Sequence, residues 1–137
     1  MAKKVSKKLP KTVIVNSRNF TNLRKLPEDT VVRAYYVMAN WKGAYYSTVT
    51  YKPGDTIYVT DWNTDPYMSC ARGLHVATEK WCRDDSTNRP DRGKPRKWFH
   101  ERLLLVEFKV SDIVCIPTYS NGKFRVKEFY VVKELKW

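Results

Sequence analysis

The run Leu103-Leu-Leu-Val-Glu-Phe-Lys-Val110 constrains this chain more than any other segment. It opens on four consecutive aliphatic residues and then alternates. It therefore reads as a strand buried on both faces at its start and on one face later. No aliphatic run is longer than Leu103 to Val106, so no membrane-spanning segment is expected. Strand signals of the same kind recur around it. Val31 to Met38 is rich in β-branched and aromatic residues, as are Ala44 to Tyr51 and Thr56 to Thr60. Lys52-Pro-Gly-Asp55 supplies turn chemistry, and these three runs are expected to form a meander.

Further along, Leu74 to Val76 reads as a short buried strand and Ile113 to Ile116 as another, stopped by Pro117. Ser120-Asn-Gly122 is a hairpin turn, and Phe124 to Leu135 reads as one long strand or two with a bulge. A short helix is expected at Glu79 to Cys82, with Ala77 or Thr78 as its cap. Asn16 to Pro27 reads as loop with a helical turn. A chain of 137 residues, 42 % hydrophobic, can bury one core and not two. The expected architecture is a single α+β domain, mostly antiparallel sheet with one or two short helices.

Charge divides the chain. Lys plus Arg number 26 against 14 Asp plus Glu, a net charge of +12. Residues 1–25 hold eight bases and no acid, and are assigned to a basic N-terminal arm. Residues 26–137 form the domain, with a polar basic loop at 83–102. Such an arm is a common device for binding polyanions, and also for keeping a domain in solution. No apolar stretch follows the basic N-terminus, so no secretory signal is expected. Three cysteines are too few for a disulfide framework and suit a reducing cytosol.

The order of segments in the second half resembles the C-terminal domain of bacteriophage rIIB-like proteins. The matching elements are Cys70-Ala-Arg-Gly-Leu-His-Val76, then Leu103 to Pro117 with its Asp-Ile-Val-Cys-Ile-Pro ending, then Phe124-Arg-Val126 and Tyr130-Val-Val132. Upstream, Tyr51-Lys-Pro-Gly-Asp-Thr-Ile-Tyr58 is similar to a turn of that family. The resemblance covers about residues 31–135; the basic arm and the longer 83–102 loop depart from it. It implies a phage protein in the cytoplasm of the infected bacterial host, of a family linked with protecting phage growth against host exclusion. It supplies no biochemical activity.

Several residues are candidates for chemistry. Lys3, Lys4, Lys7, Lys8 and Lys11 on the arm suit phosphates, as do Lys94, Arg96, Lys97 and Arg102, with Trp98 interleaved for stacking on bases. Trp98 and Phe99 serve equally as a hydrophobic anchor for the loop. A pocket of Arg33, Tyr35, Arg72 and His75 would suit a small nucleotide. His75 faces away from Leu74 and Val76, either as a ligand or acid/base in a pocket or as a satisfied histidine that orients a nearby loop. The strand tyrosines, Tyr36 and Tyr51 among them, fit core packing as well as a base pocket. Cys70, Cys82, Cys115, His75 and His100 lack the close spacing of a zinc site, and Cys115 reads as core. No metal and no cofactor is expected. An enzymatic alternative resembles ADP-ribosyltransferases, with Arg33, Thr78 and Glu128 in the early-strand, mid-chain and late-strand roles. The leading expectation is non-enzymatic: a phage accessory protein binding nucleic acid, or a host nucleic-acid-associated protein complex, to counter host defence or redirect host machinery. The alternatives are capture of a signalling nucleotide in an aromatic pocket, or ADP-ribosyltransferase-like catalysis.

Overall fold

The computed structural model describes residues 12–38, 51–68, 71–85 and 102–137. Eight strands join in one sheet: β1 (Thr12–Ile14), β2 (Val31–Met38), β3 (Thr56–Tyr58), β4 (Leu74–Ala77), β5 (Arg102–Lys109), β6 (Ile113–Cys115), β7 (Lys123–Val126) and β8 (Glu128–Leu135). Their order is β3-β8-β5-β2-β4-β7-β6, and β1 pairs with β2 off that path. Only the β1–β2 pairing is parallel among the described strands.

The α+β expectation is thus corrected to a mostly antiparallel β-fold. The helical segments described are short: 3₁₀ turns at Phe20–Lys25 and Val110–Asp112, and a π-helical turn at Trp81–Asp85. The start signal at Thr78 is real, since its Oγ1 accepts the Trp81 N–H at 3.1 Å. One turn cannot cover a sheet, however, and irregular chain does that work instead. Of the expected meander, residues 44–50 lie outside the described residues; among the described strands, β3 pairs with β8, and both β8 and β5 lie between it and β2.

Alternation divides the side chains between two faces. Val32, Ala34 and Met38 of β2 join Leu104, Val106 and Phe108 of β5 in the main core, with Leu74, Val76, Phe124 and Val126 from β4 and β7. Tyr36, Tyr51 and Phe129 form an aromatic cluster there, with ring centroids 5.0–6.2 Å apart. Tyr35, Val37 and Leu103 take the opposite face, and pack with Ala77, Cys82, Trp81, Leu135 and Trp137 as a second, smaller cluster. The start of β5 is therefore buried on both sides, as its aliphatic run required.

A register shift in β8 lets that strand serve both clusters. Val106 pairs with Val131, but the preceding Leu105 pairs with Lys133. The extra residue, Val132, reverses the side-chain parity of the strand. Phe129 and Val131 enter the main core, and Leu135, opposite Leu103, enters the second cluster.

Packing draws a different N-terminal boundary from charge. β1 pairs with the start of β2, and Val15, Phe20 and Leu23 are buried in the main core. Residues 12–25 thus belong to the body, tied down by a strand.

The Ser120-Asn-Gly122 turn closes β6 onto β7 with Gly122 at φ +138°. A Cβ there would stand 2.8 Å from Thr78 Oγ1 and 3.3 Å from Trp81 Cβ. Gly122→Ala combines that clash with a backbone conformation L-residues resist. Urea unfolding should show a loss of about 2–4 kcal/mol.

Candidate functional site

The face of β4 and β7 turned away from the main core carries charge. Phe124 and Val126 point inward, so Lys123 and Arg125 point out; Leu74 and Val76 point inward, so His75 points out. Register sets His75 directly opposite Arg125 and Ala77 opposite Lys123.

Arg125 is nevertheless fully buried, with 0 % exposure. The loop 61–68 lies over it and supplies only carbonyls. Arg125 Nε donates to Asn63 O at 2.9 Å, Nη2 to Asp65 O at 2.9 Å and Nη1 to Met68 O at 2.5 Å. Its planar fork matches three carbonyls that curve around it, which an ammonium cannot reproduce. No carboxylate pairs with it among the described residues. Gly73, at φ +139°, passes close by, and a Cβ there would lie 3.4 Å from the Arg125 side chain. The same loop is sewn to its surroundings by Asn63 N–H to Arg72 O at 2.9 Å, Thr118 N–H to Pro66 O at 2.8 Å and a long Cys115 Sγ contact to Asp65 O at 3.6 Å. Cys115 is buried, as its apolar strand implied.

Beside this fork lies a shallow, open cleft of about 470 Å³, lined by Ala71, Arg72, His75 and Lys123. His75 Nε2 lies 2.6 Å from Ala71 O, and a carbonyl only accepts, so Nε2 carries the hydrogen. Nδ1 is then a lone-pair acceptor, buried without a partner among the described residues. Burial first, then the charges of Lys123 and Arg125, lower the His75 pKa; the Ala71 carbonyl opposes them. The imidazole is neutral at pH 7. Arg72 is exposed and holds Asp61 at 2.6 Å through one Nη. The cleft is thus lined by two cations and a ring, with Arg72 paired to Asp61 and the Lys123 Nζ 5.5 Å from the Trp81 ring centroid.

The structure brings together only part of each residue set expected to act. Arg72 and His75 share the cleft. Arg33 lies on β2 with its Nε 2.9 Å from Glu107 Oε2. Tyr35 faces the second cluster, where burial first and the Glu79 carboxylate second raise its pKa. Thr78 is 2 % exposed and caps the turn that follows it. Glu128 is exposed on β8, with β5 between it and β2. Arg33, Thr78 and Glu128 therefore do not converge. Arg102 acts inside the protein: its guanidinium reaches Glu134 at 2.7 and 2.9 Å and the Tyr51 carbonyl at 3.0 Å. Lys3, Lys4, Lys7, Lys8, Lys11, Lys94, Arg96, Lys97 and Trp98 lie outside the described residues. Lys123 and Arg125 escaped the sequence reading because they sit within a strand that alternates cleanly. The one signal of their role was an arginine wedged between Phe124 and Val126, both core residues.

No protein-family model, curated protein or solved structure matches this chain.

Two outcomes test this geometry. Arg125→Lys keeps the charge and loses the fork; stability should fall by about 2–4 kcal/mol, with faster amide exchange concentrated in residues 61–68. His75 resists protonation when folded, so below its ordinary pKa of 6.5 the unfolded chain binds more protons than the folded one. Stability should be flat above about pH 7 and fall as pH drops below about 6.5, until the folded form also protonates. Replacing His75 with Gln should flatten the melting temperature between about pH 5.5 and 7.

Proposed function

We propose that this chain is a non-enzymatic phage accessory protein that binds an anionic partner, nucleic acid or a host complex built on it. In that role it would counter host defence or redirect host machinery in the cytoplasm of the infected cell. The observation that carries the reading is the charge segregation: eight bases and no acid in residues 1–25. The body adds to it. Arg72 and Lys123 rim one cleft, and behind them, among the described residues, the charge of Arg125 is answered by carbonyl dipoles alone. Cations spread over an arm and a surface are the electrostatic footprint that a phosphodiester chain requires. The resemblance to rIIB-like domains, and hence the phage setting, enters here as part of the proposal.

A second reading, capture of a small nucleotide, draws on Arg72 and His75 sharing one cleft, but that cleft is shallow and open where ligand sites are concave. Against it, Arg33 and Tyr35 lie elsewhere, and His75 supplies the only ring among the residues that line the cleft. The ADP-ribosyltransferase-like alternative has less support, since its three residues are separated and two of them serve packing or pairing.

Neutralising Lys3, Lys4, Lys7 and Lys8 to Gln tests the leading reading without touching residues 12–25, which the core needs. Affinity for a labelled duplex, read by fluorescence anisotropy, should fall, and the log–log salt slope should shrink by roughly 0.9 for each phosphate no longer neutralised. An unchanged slope would remove the arm from the interface. A thermal shift with mononucleotides that survives the four substitutions would favour the second reading.

A further inference from the structure

The loop 61–68 turns its carbonyls toward Arg125 and leaves rings in solvent. Tyr67 is 76 % exposed and Tyr119 is 89 % exposed, the two most exposed large hydrophobic side chains described. They share one corner. The residues just before them, Pro66 and Thr118, are hydrogen-bonded to each other at 2.8 Å. The backbone at both rings is fixed locally. Tyr67 N–H donates to Asp65 Oδ1 at 2.9 Å, and Ser120 N–H, next to Tyr119, donates to Pro117 O at 3.1 Å. Neither ring has a role in the core, and the corner that holds them is anchored to the body by the buried Arg125 fork.

The cationic cleft adjoins this corner along both chain segments that build it. Lys123 closes the hairpin that carries Tyr119, where the Ser120 hydroxyl donates to the Lys123 carbonyl. Arg72 is joined to the base of the loop through Asn63 N–H and Asp61. The two acids of the loop are engaged, Asp61 with Arg72 and Asp65 with the Tyr67 backbone. Arg72 contacts Asp61 through one of its five donors.

Exposed rings beside cations select one form of nucleic acid. A duplex offers phosphates but hides the faces of its bases. A single strand offers both, and base–aromatic stacking is indifferent to sequence. We propose that the Tyr67–Tyr119 corner and the Arg72–Lys123 cleft form one contact site for single-stranded nucleic acid, with the rings stacking on bases and the cations following the phosphates. The inference rests on the nucleic-acid reading above and narrows it to single strands.

Fluorescence anisotropy with the full chain tests it, using a labelled twelve-base oligothymidylate, a duplex of equal length and an abasic phosphodiester chain. The wild type should prefer the single strand, and removing the bases should weaken binding by about tenfold or more. Tyr67→Ala with Tyr119→Ala should cost the single strand a similar factor and leave the duplex within about twofold, while the paired Phe substitutions retain affinity. Arg72→Gln should reduce the single-strand salt slope by about 0.7. If the abasic chain binds as tightly as the oligothymidylate, stacking is absent and the inference fails, even if the alanine variants prove unstable. Binding to the duplex that depends on Lys3 to Lys8 and is indifferent to both rings would overturn it while sparing the wider reading. No binding to any of the three would overturn the inference and the direct nucleic-acid reading with it.

Discussion

A buried cation, held by carbonyls rather than a carboxylate, organises this protein. Taking a guanidinium out of water costs several kcal/mol even after the surroundings relax. At Arg125 that cost is offset by three short hydrogen bonds to carbonyls of one loop, each stronger than a neutral bond because the donor is charged. The arrangement works in both directions. Loop carbonyls covered by a sheet would otherwise lack partners, and the arginine would otherwise lack acceptors. The strand β7 thus determines where residues 61–68 lie, and with them the Pro66–Thr118 contact, the cleft wall and the exposed tyrosines. The close pass of Gly73 is part of the same constraint, because the Arg125 stem occupies the space where a side chain would stand.

The rest of the sheet depends on parity. A strand that alternates strictly sends every second residue to the same face for its whole length, so it cannot offer its apolar residues to one cluster first and to the other later. The shift at Val132 lifts that restriction in β8, and the consecutive leucines at the start of β5 meet it from the neighbouring strand. If β8 alternated strictly through Val132, Leu135 would share the parity of Phe129 and Val131 and point toward the main core. Leu103 would then have no apolar partner on β8. With the shift, Leu103 and Leu135 meet beside Trp81 and Trp137. Arg102 and Glu134 close the same end of the sheet as an ion pair that also holds the Tyr51 carbonyl.

Much of this is legible in the sequence alone. Val31 to Met38 is β2 to the residue, and Leu103 to Val110 matches β5 within one position at each end. These segments are long, rich in strand-forming residues and bounded by turns, so local pattern and tertiary packing agree. Where the sequence leaves Phe124 to Leu135 as one strand or two, the structure has two, and of Ala77 and Thr78 it is Thr78 that caps. Strand order is not legible, because alternation shows which face a residue takes and nothing about which strand lies beside it. The α+β reading fails where it lets one capped turn stand for a helical layer; the second face of β4 and β7 is covered by loop. A boundary drawn from charge takes in residues 12–25, which pack with the body, because charge and packing are separate properties. Arg18, Arg24 and Lys25 are bases on a surface whose other side buries Phe20 and Leu23. At the candidate site, Arg72 and His75 are visible as a pair close in sequence, while Arg125 and Lys123 require the register of β4 against β7.

In the proposed function, the distribution of charge over this architecture would separate two kinds of recognition. Charges on a segment that precedes the body attract any polyanion and lose force as salt rises, since their contribution is mainly the release of counterions. A cleft seated on a hydrogen-bonded corner differs, because its groups are held at set positions before a partner arrives and little ordering remains to be done on binding. The neutral imidazole of His75 fits that role. A third full charge beside Lys123 and Arg125 would repel both, and burial with those two charges lowers the His75 pKa accordingly. Affinity from the first source and selectivity from the second need not reside in one element. In the proposed function they would be divided between the basic residues of the N-terminal segment and a corner held in place by Arg125.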